Sequence, residues 1–88
     1  MKARQKSALR SAILLQLQAA YPASLPDFAL LEGLKISGFD SDERRLGAEL
    51  EYLGELGFLR RGASELSEGV MRSKLSAKGI GYLERNGF

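Results

Sequence analysis

The stretch "LGAELEYLGELGFLRR", residues 46–61, predicts a helix that turns directly into a strand. Leu46, Leu50 and Leu53 recur at intervals of four and three residues, so one face of the helix is apolar and faces a core. Gly57 is expected to end the helix, because a residue in the left-handed conformation lets the chain turn away. The run that follows begins apolar, ends in two arginines and is typical of a short strand.

Two glycines and three glutamates make this helix unusual. Gly47 and Gly54 lie seven residues apart, hence near one face, and each costs roughly 1 kcal/mol relative to alanine. We expect tight core packing to explain both, and the alternative is close approach of another helix, or of a DNA backbone at Gly47. The helix also carries Glu49, Glu51 and Glu55. These carboxylates make the later part of the helix acidic, and an acidic surface repels the phosphates of a nucleic acid.

The composition excludes several classes of function. The 88 residues suffice for a single domain, residues 1–88, with one modest core and a basic N-terminal segment at residues 1–7. The chain has neither cysteine nor histidine, which excludes disulfides, thiolate metal sites and the commonest nucleophile–base pairs. We therefore expect no enzyme, no metal and no cofactor. No apolar run approaches the roughly 18 residues of a membrane span. We expect a cytoplasmic protein without membrane contact.

The rest of the chain predicts three further helices and a hairpin. Apolar spacing and turn signals predict helices over 3–20, 25–36, 41–56 and 77–86, and strands near 58–61 and 70–75. Ser24 is expected to cap the second helix in a variant of the capping box with Asp27. Asp40 or Ser41 is expected to cap the third helix, and Ser76 the fourth.

The same spacing predicts one core. The second helix is expected to bury Phe28, Leu30, Leu31 and Leu34. The residues predicted to meet in the core are Leu9, Ile13, Leu17, Leu31, Leu46, Leu50, Leu53, Leu75 and Leu83.

Two short patterns carry a family resemblance. They consist of Leu53, Gly57, Phe58 and Leu59, and then of Leu75, Ser76 and Gly79. In both patterns the chain resembles winged helix-turn-helix domains, whose recognition helix and wing end in such patterns. The resemblance covers about residues 8–86. It also resembles small winged-helix proteins of Mu-like phages and prophages. The resemblance implies a mainly α fold with a small β-hairpin, in the order α-α-α-β-β-α, with the wing at about 58–75.

The resemblance implies a DNA-binding protein, either a transcriptional regulator or a phage-related protein, with double-stranded DNA as its partner. The N-terminal half of the third helix would then approach the groove, where Arg44 and Arg45 suit guanine and phosphate. The expected DNA-binding residues are Arg44, Arg45, Arg60, Arg61, Arg72, Lys74, Lys2 and Lys6.

Each basic group also has a second explanation. Arg45 can pair with Glu49 one helical turn on, and the wing cations can protect a strand edge from aggregation. Lys2, Lys6 and Arg10 can serve solubility alone. The alternative function is a winged helix used for protein contact in a phage or prophage complex, which the acidic third helix favours.

The resemblance further implies a homodimer, because relatives usually pair to span two half-sites. Leu14, Leu15 and Tyr21 lie off the main apolar stripe of the first helix. We therefore expect pairing through helix 1, helix 4 or both.

Overall fold

The computed structural model describes residues 3–88, which form four helices and a small antiparallel sheet. The helices are α1 (Ala3–Ala20), α2 (Asp27–Ile36), α3 (Glu43–Glu55) and α4 (Ala77–Arg85), and the strands are β1 (Leu25–Pro26), β2 (Leu59–Ala63) and β3 (Met71–Leu75). The strand order in the sheet is β1-β3-β2, so β3 pairs with both of the others. No helix in the described part of the chain is both long and apolar enough to cross a membrane.

One hydrophobic core joins the helices to the sheet. Its buried residues are Leu9, Ile13, Leu14, Leu17, Leu30, Leu34, Leu46, Leu50, Leu53, Leu59, Leu75 and Leu83. The predicted core is confirmed except at Leu31, which is only partly buried. The prediction for Phe28 is wrong, because Leu30 and Leu34 set the buried face of α2 and leave Phe28 exposed. Leu14, which lies off the main apolar stripe of α1, is completely buried in the core of the domain.

The segment before α2 is a short strand and not a capping box. Leu25 and Pro26 pair with β3, and α2 begins only at Asp27, without a side-chain cap. A proline is tolerated here because β1 lies at the edge of the sheet. The hydroxyl of Ser24 does not cap α2 but accepts a hydrogen bond from Arg72 Nε at 2.7 Å.

The start of α3 also differs from the prediction. Its cap is Asp42, whose Oδ1 accepts a hydrogen bond from the Arg45 backbone N–H at 2.8 Å. Neither Asp40 nor Ser41 caps the helix, and the Ser41 side chain is turned inward and buried. The helix therefore starts two residues later than expected, at Glu43.

The two sequence patterns meet in space where α3 ends and α4 begins. Gly57 has a φ of 84°, the left-handed conformation predicted for the end of α3. The Ser76 backbone N–H donates to the Phe58 carbonyl at 3.1 Å, and the Ser76 hydroxyl donates to the Gly57 carbonyl. The same hydroxyl caps α4, as predicted, by accepting from the Gly79 N–H at 3.0 Å. A Cβ at Gly79 would lie 2.1 Å from the Phe58 carbonyl oxygen. Only glycine therefore fits at this position in the first turn of α4 without a shift of the backbone.

The two glycines inside α3 are not required by core packing. A Cβ at Gly47 would meet no atom within 4 Å, and one at Gly54 would meet only Leu59 Cδ1, at an ordinary 3.7 Å. The expectation of tight core packing is therefore wrong at both positions.

Gly47→Ala should raise the free energy of unfolding by about 0.5–1 kcal/mol, because alanine loses less backbone entropy in a helix and has open space here. Gly79→Ala should lower it, because the added methyl group collides with the Phe58 carbonyl. Urea unfolding followed by circular dichroism measures both. A loss of stability in Gly47→Ala would contradict the open space beside α3.

Candidate functional site

Arg61, expected to contact DNA, has its guanidinium turned into the fold. Nη1 and Nη2 donate to Oδ1 and Oδ2 of Asp27 at 3.0 Å each, and Nη1 also donates to the Ser73 hydroxyl at 2.8 Å. Ser73 is completely buried, and the Arg61 side chain is only 14% exposed. Two parallel bonds to one carboxylate are a strong and specific contact. Arg61 therefore joins β2, β3 and the start of α2.

The other cations of the hairpin have different surroundings. Arg72 donates to the Ser24 hydroxyl and, through Nη2, to the Ser24 carbonyl at 2.8 Å, so it ties β3 to the end of the α1–α2 connection. Lys74 lies over the Tyr21 ring, 5.9 Å from its centroid. Arg60 is exposed, and its side chain has no hydrogen-bonding or ion-pair partner within residues 3–88.

A basic cluster lies at the N-terminal end of α3. Arg44 and Arg45 are exposed, and together with Lys6 of α1 they line a hollow of about 410 Å³. The side chains of the two arginines form no ion pair within the described residues. Lys2, the remaining predicted contact, lies outside the described residues. The basic cluster, defined as Lys6, Arg44 and Arg45, is the part of the predicted DNA-binding set that the structure brings together.

One carboxylate beside this cluster is already neutralised. Arg10 Nε donates to Glu49 Oε2, and the Arg10 guanidinium stacks over the Tyr52 ring, 4.2 Å from its centroid. The hydrogen bond to Glu49 raises the pKa of Arg10 above its ordinary value. Glu49 therefore pairs with Arg10 across α1 and α3, and the alternative in which it pairs with Arg45 is wrong.

The other acidic side chains of α3 and the hairpin are exposed. Glu51 and Glu55 lie on α3 beside Arg60, around one shallow hollow. Glu65 and Glu68 stand on the hairpin tip, residues 64–70. None of these four forms an ion pair within residues 3–88. We call the four together the acidic surface.

The predicted DNA-binding residues thus do not form one face that is clear of carboxylates. The basic cluster occupies one end of α3, and Asp42 shares its hollow. Arg61 and Arg72 are hydrogen-bonded to Asp27 and Ser24, and Arg60 lies next to two glutamates.

No protein-family model matches this sequence, and no curated protein matches it.

Arg61→Ala should lower the free energy of unfolding by about 2–3 kcal/mol, because it leaves Asp27 and the buried Ser73 hydroxyl without their donor. Arg60→Ala, the matched control on the same strand, should change it by less than about 0.5 kcal/mol, because its side chain is exposed and unpaired. Equilibrium unfolding in urea measures both. Equal effects of the two substitutions would show that Arg61 does not hold the sheet.

Arg10→Ala should lower the free energy of unfolding by about 1–2 kcal/mol, since the Glu49 side chain, only 12% exposed, loses its partner. Arg45→Ala should be nearly neutral, within about 0.5 kcal/mol, because it has no such partner. Thermal unfolding at matched salt compares the two variants. A larger loss of stability in Arg45→Ala than in Arg10→Ala would indicate that Glu49 pairs with Arg45 and would contradict the pair with Arg10.

Proposed function

We propose that this domain is a winged-helix module that binds another protein through the exposed face of α3 and the tip of the hairpin. The element order α1-β1-α2-α3-β2-β3-α4 and the sheet order β1-β3-β2 are compatible with a winged-helix layout. The contact between the two family-like patterns, at Phe58 and Ser76, also supports it. In this layout α3 takes the place of the recognition helix and the β2–β3 hairpin that of the wing.

The observation that carries the proposal is the distribution of charge on the hairpin. Arg61 is turned inward to Asp27, and Arg72 is hydrogen-bonded to Ser24 beside the edge strand β1, whereas Glu65 and Glu68 remain free at the tip. The two exposed cations of the strands are Arg60, which lies beside Glu51 and Glu55, and Lys74, which lies over the Tyr21 ring. The acidic tip repels the phosphates of a duplex, and affinity for DNA depends above all on neutralising them.

The exposed face of α3 supports the same proposal. Arg44, Ala48, Glu51 and Glu55 follow one another at helical spacing, and all four are exposed. A duplex lying along this face meets one arginine and then two carboxylates. A protein partner with a basic surface is complementary to it, and charge complementarity favours encounter with such a partner over others.

Binding of double-stranded DNA is the second candidate, and the basic cluster favours it. Lys6, Arg44 and Arg45 surround the N-terminal end of α3, where the helix dipole also favours an anion. The pairing of Glu49 with Arg10 removes one repulsive charge from this end. DNA would then be held at the start of α3 alone, without the hairpin.

A homodimer stays a prediction. Leu14 no longer supports it, because that side chain is in the core. Exposed Tyr52 and Leu56 lie beside Tyr82 of α4, around a hollow between α1, α3 and α4. Pairing through these helices would bury them.

Titration of a random duplex at several salt concentrations separates the two functions. Protein contact predicts negligible affinity even near about 50 mM salt, and a clear gain of affinity when Glu51→Lys and Glu55→Lys remove the repulsion. Tight, strongly salt-dependent binding by the wild type that Arg44→Ala weakens, with Arg60→Ala as control, would favour DNA and contradict the first proposal.

Selection from a random-peptide display library gives the protein proposal a positive test. The wild-type domain should enrich sequences rich in lysine and arginine. The charge-reversed variant Glu51→Lys, Glu55→Lys should lose that enrichment, since the acidic surface is reversed there. Failure of the wild type to enrich any family of sequences would count against a protein-binding function.

A further inference from the structure

An apolar hollow lies where the N-terminal ends of α2 and α3 meet the hairpin. It measures about 400 Å³, and its sides are formed by Phe28, Val70 and Met71 over buried Leu46. Phe28 is 70% exposed and Met71 is 37% exposed, so the core uses neither side chain fully. Adjacent large apolar side chains in solvent are a mark of an interaction site. Methionine in addition adapts its shape to different occupants.

The rim of the hollow is acidic. Glu43 lines it directly, and none of the described residues that line it is a lysine or arginine. The hairpin tip that carries Glu65 and Glu68 leads into it at Val70. Asp27 also lines it, but Arg61 already balances the charge of that carboxylate. The unpaired charge among the described lining residues is therefore the negative charge of Glu43.

We propose that this hollow binds a protein segment in which a large apolar side chain is flanked by lysine or arginine. The apolar side chain packs between Phe28 and Met71, and the flanking cations face Glu43 and the hairpin tip. This inference rests on the proposed protein-binding function. It names the chemistry of the partner and extends the contact surface from the hairpin tip to this hollow.

A second copy of the chain is a poorer occupant. Its basic segment in α1 has Leu9 and Ile13 buried in its own core, so that segment cannot offer an apolar side chain. Exposed Ile36, next to Lys35, is an apolar-basic pair that lies outside the hollow. Insertion of Ile36 into the hollow of a neighbour is a head-to-tail contact, which forms a ring or an open chain instead of a symmetric dimer.

Labelled peptides of sequence KRXXKR, with leucine, phenylalanine or tryptophan at X, are the probes. At least one should bind the full chain in fluorescence anisotropy, while KRSSKR and the matching EEXXEE peptides should bind much more weakly. Phe28→Ala and Met71→Ala should each weaken binding at least about tenfold, as for apolar anchors at an interface centre. Ile36→Ala, an exposed apolar control outside the hollow, should leave it unchanged.

Charge-neutral variants test the rim. Glu43→Gln should weaken peptide binding several-fold and flatten its salt dependence, whereas Glu84→Gln, an exposed acid on α4, should do neither. Equal binding of KRSSKR and the apolar probes, or no effect of Phe28→Ala, would overturn the assignment. Self-association that Ile36→Ala abolishes would also overturn it, because Ile36 of a second copy would then occupy the hollow.

The outcomes keep the two proposals apart. If library-selected peptides bind the Phe28→Ala and Met71→Ala variants as tightly as the wild type, the hollow is not their binding site, but the protein-binding function is still supported. Absence of binding by both the KRXXKR probes and any library sequence would refute both.

Discussion

The contact of Arg61 with Asp27 and Ser73 fixes the hairpin to the start of α2, in addition to the hydrophobic core that joins the helices to the sheet. A two-stranded hairpin on its own is marginally stable in water, so it must be fixed to the helices. Leu59 and Leu75 bury one side of it. The guanidinium adds a directional contact between β2, β3 and the first residue of α2. The adjacent bond from Arg72 to Ser24 holds the short strand β1 against β3.

This arrangement determines the charge of the outer surface. Because Arg61 is bound to Asp27 and largely buried, its positive charge is not available to a ligand, and the carboxylate of Asp27 is neutralised at the same time. Arg10 and Glu49 do the same between α1 and α3. Outside these pairs, exposed cations remain at the start of α3 and at Arg60 and Lys74 of the hairpin strands, and exposed carboxylates remain along the later turns of α3 and on the hairpin tip. A protein with a net charge of +2 can therefore present exposed, unpaired carboxylates together along α3 and on the hairpin tip.

Much of the fold could be predicted because its signals are local. Leucine spacing gives the helices, Gly57 gives the end of α3, and Ser76 gives the start of α4. The strand β1 was missed because two residues, Leu25 and Pro26, are too few to show a period. The exposure of Phe28 was missed because a ten-residue helix rich in apolar positions does not fix which side is buried.

The site was harder to predict, because its charges are set by distant pairs. Arg61 and Asp27 are 34 residues apart, and Arg10 and Glu49 are 39 apart. No spacing rule relates them, so the sequence could not separate arginines held inside the fold from those free to bind. The basic cluster was partly predictable, because Arg44 and Arg45 stand at a helix start.

A double-mutant cycle between Asp27 and Arg61 tests most directly the claim that the hairpin arginine serves the fold. Asp27→Ala, Arg61→Ala and the double variant are compared with the wild type by urea unfolding. We expect a favourable coupling of at least about 1 kcal/mol, because the effects of substituting two residues that share hydrogen bonds do not add. Effects that add to within about 0.3–0.5 kcal/mol would contradict it and return Arg61 to the residues available for DNA.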